Sequence, residues 1–152
     1  MLSQKAKYAL RALLMLAEGV EQESPIAISE IAARERISQK FLETILVELR
    51  DQGLLESRRG RYGGYRLRRA PSAISFGDVM RAIDGPLAPI RCASRTDYKP
   101  CDDCPDASAC TIRWAMLKAR DAIAKALDGC TLADALAWRG REGAIDLFLD
   151  AS

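Results

Sequence analysis

Residues 28–67 read ISEIAARERISQKFLETILVELRDQGLLESRRGRYGGYRL, and this stretch decides the fold. Its first part predicts a short helix from about Ser29 to Glu35 that turns Ile28, Ile31 and Ala32 inward. Arg36-Ile37-Ser38 is a tight connection. A longer helix over Gln39 to Gln52 follows, with Phe41, Leu42, Ile45, Leu46 and Leu49 as its apolar stripe and Gly53 as its stop. Two short strands come next, Leu54 to Arg58 and Tyr65 to Arg68, joined by Gly60-Arg61-Tyr62-Gly63-Gly64. Short helix, tight turn, longer helix and glycine-turned hairpin form the order of a winged helix-turn-helix. The fold class is therefore mainly α with a small β wing.

If the stripe packs inward, Gln39, Lys40, Glu43, Thr44 and Val47 face outward near the start of the longer helix, the end that enters a major groove in this architecture. Lys40 suits guanine or phosphate. Glu43 can accept from a cytosine amino group but repels phosphate, so it would serve specificity rather than affinity; a plain surface carboxylate is the competing reading. Ser38, as N-cap, can present its hydroxyl to phosphate beside the helix dipole. In the hairpin, Arg58, Arg59, Arg61, Arg66, Arg68 and Arg69 lie within twelve residues that hold no acid. Such a tip suits contact with a DNA backbone or minor groove. Arg58, Arg59, Arg61 and Tyr62 are its candidate contacts. The alternative is an edge hairpin whose charges discourage aggregation. Charge distribution favours the first reading. Residues 1–70 hold thirteen Lys/Arg against nine Asp/Glu, whereas the whole chain has a net charge of only +2.

Outward from this stretch, a first helix is expected from Ser3 to about Gly19, followed by a turn at Glu21-Gln22-Glu23-Ser24-Pro25. Its apolar run faintly resembles a signal peptide, but Arg11 interrupts it. No run approaches the roughly 18–20 apolar residues of a membrane span, so a cytoplasmic location without membrane partners is expected. After Pro71, Ser75-Phe76-Gly77-Asp78 resembles a capping box that starts a helix to about Asp84, and Gly85-Pro86 breaks it. Residues 87–110, with Pro89, Pro100 and Pro105, are expected as a loop. A long helix should run from Thr111 to about Gly129 with Ile112, Ala115, Met116, Ala119, Ile123, Ala126 and Leu127 on one face. Thr131-Leu132-Ala133-Asp134 caps a further short helix to about Trp138, and the tail to Ser152 carries little pattern. Three parts follow: a winged helix-turn-helix over 1–71, a connecting helix and cysteine-rich loop over 72–110, and a long helix with its tail over 111–152.

The loop holds Cys92, Cys101, Cys104 and Cys110, spaced C-x8-C-x2-C-x5-C, in a chain without histidine. Cytoplasmic cysteines in this number suggest ligands or redox chemistry more than disulfides. Four thiolates suit a 2Fe–2S cluster, a 4Fe–4S cluster or tetrahedral zinc, and a thiol or disulfide switch is a further possibility. Asp97, Asp102, Asp103 and Asp106 would raise the thiol pKa values and disfavour a bare thiolate. The rival class is an enzyme, a thiol oxidoreductase using Cys101 and Cys104. Such pairs usually open a helix after a strand, and none is expected here. Cys130 is expected to be a small buried apolar residue, and Trp114 to pack in the core or an interface.

Several segments together resemble one family. Tyr8-Ala9-Leu10-Arg11-Ala12-Leu13, Ile28-Ser29-Glu30-Ile31-Ala32, Phe41-Leu42-Glu43, Gly53-Leu54-Leu55, Arg59 to Leu67 and Ile74 to Val79 resemble the Rrf2 family of bacterial transcription regulators. The cysteine loop, Trp114 and Thr131-Leu132 extend the resemblance to about residue 138. It implies a homodimer on a pseudo-palindromic operator in double-stranded DNA, with the long helix after the cysteines as a dimerisation helix. It also implies that sensing members carry an iron–sulfur cluster on three loop cysteines plus a fourth ligand. Cys92, Cys104 and Cys110 match the three, and Cys101 is an addition. The histidine or helix-one acid that some members use is missing, since Lys7 stands before Tyr8. Cys101 is the replacement the resemblance leaves.

Overall fold

In the computed structural model, residues 2–20 and 24–139 are described; part of the expected turn at 21–25 and the tail from residue 140 lie outside them. Six helices and one hairpin follow in order: α1 (Gln4–Glu18), α2 (Ile28–Glu35), α3 (Gln39–Asp51), β1 (Leu55–Arg58), β2 (Gly64–Leu67), α4 (Phe76–Asp84), α5 (Thr111–Asp128) and α6 (Leu132–Arg139). The expected boundaries agree to within a residue or two.

Local chemistry sets most of these ends. Ser3 accepts the Ala6 N–H at 3.0 Å and starts α1. Ser38 accepts from Phe41 and starts α3. Ser75 and Asp78 exchange side-chain and backbone bonds at 3.0 Å each, a complete capping box on α4. Thr131 and Asp134 do the same for α6, and the Thr131 hydroxyl holds the Asp134 carboxyl below its usual range. Arg36 closes α2 in the left-handed region, at φ 54°.

The core is one cluster that crosses the expected boundary at residue 71. Leu13 and Met15 of α1, Ile31 of α2 and Leu42, Ile45, Leu46 and Leu49 of α3 pack with Leu54, Leu55, Ile74, Val79 and Leu132. Truncating a fully buried leucine such as Leu46 in such a core costs about 2–5 kcal/mol. Helix α6 returns to α1, where Arg139 pairs with Glu18, and its start is tied to the start of α4, Leu132 donating to the Ile74 carbonyl at 3.0 Å and Phe76 to the Cys130 carbonyl at 2.8 Å. Arg81 of α4 grips Asp128 of α5 with two bonds, at 2.7 and 2.8 Å.

The hairpin is antiparallel, with Leu55 opposite Leu67 and Arg58 opposite Gly64. Ile26 and Tyr65 exchange backbone bonds at 2.9 Å, which ties the wing to the segment before α2. Gly64 permits this approach: a Cβ there would lie 2.2 Å from the Ile26 carbonyl oxygen.

One expectation needs correction, and two others are narrowed. Phe41, placed in the inward stripe, is exposed and meets the edge of Tyr8 instead. On α5, which the resemblance makes a dimerisation helix, Ile112 and Ile123 are exposed, and the buried residue of that helix is Arg120. Trp114 is 61% exposed with Lys118 over its ring, which rules out the core and leaves the interface alternative.

Candidate nucleic-acid interface and cysteine loop

Helix α3 buries Leu42, Ile45, Leu46 and Leu49 and leaves Ser38, Gln39, Lys40, Glu43 and Thr44 exposed around its first turns. No acid lies in the first turn, so the positive end of the helix dipole is open to an anion. Among the described residues, neither Lys40 nor Glu43 has an ion-pair partner.

The wing sorts its six arginines. Arg66 pairs with Glu56 across the strands, and Arg69 donates to the Ala73 carbonyl at 3.4 Å. Arg58, Arg59, Arg61 and Arg68 are exposed and have no carboxylate partner among the described residues. Tyr62 is 80% exposed at the tip, with the Arg61 guanidinium 5.8 Å from its ring centroid. The Gly63 N–H closes the tip on the Gly60 carbonyl at 3.0 Å, with Gly60 at φ 109°. An unpaired cationic tip on a rigid hairpin can neutralise phosphates at little ordering cost.

The cysteine loop joins α4 to α5. A single 3-10 turn, Arg91–Ala93, buries Cys92. Ser94 accepts the Asp97 N–H at 2.9 Å, and Arg91 pairs with Asp97 at 3.0 Å, holding that carboxyl below its usual range. Cys101 is exposed, yet its Sγ lies 3.8 Å from that of Cys92. This contact pushes the Cys101 thiol up, with Cys104 and Asp103 adding to it. Partial burial and the neighbouring Cys110 push up the Cys104 thiol. Cys110 is the N-cap of α5, its Sγ accepting the Arg113 N–H at 3.4 Å.

The four thiols thus stand as two couples, Cys92 with Cys101 and Cys104 with Cys110. Among the described residues no three Cys, Asp or Glu side chains converge closely enough to hold a metal ion. The donor chemistry nevertheless fits a metal or cluster. Metal–sulfur bonds of about 2.3 Å in a tetrahedron put sulfurs about 3.8 Å apart, the separation of Cys92 and Cys101. Drawing the second couple to the first completes a four-thiolate set. The raised thiols fit a nucleophilic enzyme cysteine poorly, because the thiolate is the reactive form.

One residue here had no sequence signal beyond its nearness to Cys110. Arg113 donates through Nε to the Cys92 carbonyl at 2.9 Å, and its guanidinium lies 5.8 Å from the Tyr98 ring centroid. Cys130, expected to be buried, is half-buried, and its carbonyl serves α4. No helix among the described residues is long and apolar enough to cross a membrane.

Comparison with known proteins agrees with this fold. A family model described as Rrf2, iron-dependent transcriptional regulator, matches residues 2–137. A protein of Rhodobacter capsulatus, named an rrf2-like HTH-type transcriptional regulator, is 47% identical over 139 residues, 90% of this chain and 93% of its own. The structure of CymR, the global cysteine regulator of B. subtilis, superposes with a TM-score of 0.72 at 33% identity, covering 91% of this chain and 97% of CymR. That of T. potens IscR gives 0.70 at 30% identity, covering 91% and 88%.

Proposed function

The chain belongs to the Rrf2 family of transcriptional regulators, and from that premise we propose that it binds DNA as a homodimer under the control of an iron–sulfur cluster held by its cysteine loop. The observation that carries the DNA reading is the pairing of two exposed features. These are the acid-free start of α3 and a wing whose Arg58, Arg59 and Arg61 lack carboxylate partners among the described residues.

In this reading Ser38, Gln39, Lys40 and Glu43 enter the major groove, with Lys40 on guanine or phosphate and Glu43 selecting bases. The wing holds the backbone through Arg58, Arg59, Arg61 and Tyr62. The exposed apolar residues of α5, Ile112 and Ile123 with Trp114, support a second copy packed on that helix. Two copies then present two reading helices to a pseudo-palindromic operator. The target sets the protein in the cytoplasm. Residues 1–71 read DNA, 72–110 sense, and 111–152 dimerise.

Cys92, Cys101, Cys104 and Cys110 would hold the cluster. When bound it supplies reversible redox chemistry and an iron centre open to small reactive molecules. The chain's own part is to carry the state of the loop onward. Cys110 caps α5, and Arg113 on the same helix grips the Cys92 backbone, so a change in loop order reaches the dimer helix directly. The description of the family as iron-dependent supports iron over zinc.

Anaerobic purification with an absorption spectrum and iron, sulfide and zinc assays tests the sensor half. Visible charge-transfer bands with iron and sulfide in step are expected. A colourless protein with one zinc per chain would replace the cluster by a structural metal. The 3.8 Å approach of Cys92 and Cys101 favours a second reading, a thiol switch closing that pair. A colourless, metal-free protein whose operator affinity follows the thiol redox state would establish it.

A further inference from the structure

We propose that the cleft between α4, the cysteine loop and α5 binds a small oxyanion, a phosphate or a carboxylate. The cleft holds about 160 Å³ and is lined by Arg81, Leu87, Ser94, Arg95, Thr96 and Arg120, among others. The volume suits a group of phosphate size.

Arg120 carries the argument. It is 8% exposed, in a helix otherwise free of buried residues. Its Nη2 pairs with Asp121 at 2.7 Å, but its Nε has no hydrogen-bond partner and is closed off from solvent. A buried guanidinium donor without an acceptor is costly and rarely tolerated. An acceptor that enters as the loop draws back from α5 removes that cost.

The surrounding chemistry says which acceptor. Arg81 is neutralised by Asp128 through two bonds. Asp121 Oδ1 is shared by Arg120 and, at 3.3 Å, by Arg95, so two guanidiniums answer to one carboxylate. Counting only the lining arginines and the carboxylates paired with them, one positive charge is in excess. Ser94 accepts from the Thr96 and Asp97 N–H groups, and its own hydroxyl hydrogen remains to donate. Guanidinium and hydroxyl donors with a net positive charge call for an oxyanion. The long Arg95–Asp121 pair, more than half exposed on both sides, is weak enough to open for it. The site lies two residues from Cys92 and depends on no cluster.

Calorimetric titration of the full chain with inorganic phosphate tests this, with acetate in a parallel arm and chloride keeping ionic strength constant. Saturable binding of one phosphate per chain is expected, weakened at least roughly tenfold by Arg95→Ala and by Arg120→Lys, and unchanged by Arg59→Ala. Arg95 is exposed, so its variant folds even where Arg120→Lys does not. Phosphate alone binding would assign a phosphate site, and acetate as well an oxyanion site of either kind. No saturable binding, or binding that Arg95→Ala leaves intact, overturns the proposal. Loss in Arg59→Ala with retention in Arg95→Ala would place the phosphate on the wing and overturn it equally.

Discussion

Arg113 donates its Nε–H to the backbone carbonyl of Cys92 at 2.9 Å, across twenty-one residues of chain. The bond joins the first cysteine of the loop to the helix that the last cysteine caps. A part-buried, charge-assisted bond of this kind contributes about 1–2 kcal/mol. Arg113→Ala is therefore expected to leave the winged core intact and loosen the loop. The Ala93 and Ser94 amides should exchange with deuterium about tenfold faster, while exchange in α3 stays unchanged. Unchanged exchange at both amides would remove Arg113 from the coupling.

The wing makes a salt-dependent prediction. Arg59 is exposed and has no carboxylate partner among the described residues. Arg59→Ala should weaken binding to all DNA sequences alike and reduce the slope of log K against log salt by about 0.9 per wing. Titrations by fluorescence anisotropy at several salt concentrations measure both quantities. An unchanged slope contradicts the assignment of the wing to phosphate.

Glu43 should behave in the opposite way. On the proposed reading this exposed acid repels phosphate and selects a base. Glu43→Ala is expected to raise affinity for unrelated DNA and to reduce discrimination at one base pair in each half-site by about 1–3 kcal/mol. Binding to a library of operator variants reads this out directly.

Gly64 holds the wing in place. Because a Cβ there would meet the Ile26 carbonyl oxygen at 2.2 Å, Gly64→Ala must break the Ile26–Tyr65 bridge or shift the hairpin. The cost is expected to be about 1–3 kcal/mol of stability, with weaker DNA binding. Gly60→Ala meets no neighbour but is strained by its positive φ. Urea unfolding of both variants separates crowding from strain.

The Cys101 thiol is raised by its contact with Cys92, so at a given pH less of it is thiolate than for a free cysteine. Iodoacetamide should alkylate Cys101 in the metal-free protein more slowly than a peptide thiol at pH 8. The rates should converge only as the pH climbs past the usual thiol range. Cys92→Ala should bring the Cys101 rate up. Faster alkylation of Cys101 than of the peptide would reverse the sign and contradict the described contact.

Much of this was readable from residue patterns, and the limits have physical causes. The α3 stripe was legible because Leu42, Ile45, Leu46 and Leu49 bury against their own chain at helical spacing. The caps at Ser3, Ser38 and Ser75 were legible because their bonds are local. Phe41 misled, since periodicity does not say where a stripe runs out at a helix start. The face of α5 is a different case: an apolar stripe records that something covers it and not which chain does. Its buried residue, Arg120, is charged and carries no apolar signal. The division of the wing arginines was hidden because the Arg66–Glu56 pair depends on strand register. The two cysteine couples were hidden because a loop with no periodicity is folded by contacts such as Arg113 to Cys92, which spacing does not encode.

The account's central claim is that the state of the cysteine loop sets operator affinity. The direct measurement compares the anaerobically purified protein with the same preparation after cluster removal, on one operator fragment at one salt concentration. The two forms are expected to differ at least roughly tenfold in Kd, or about 1.4 kcal/mol. Equal affinity of the two forms would contradict the claim.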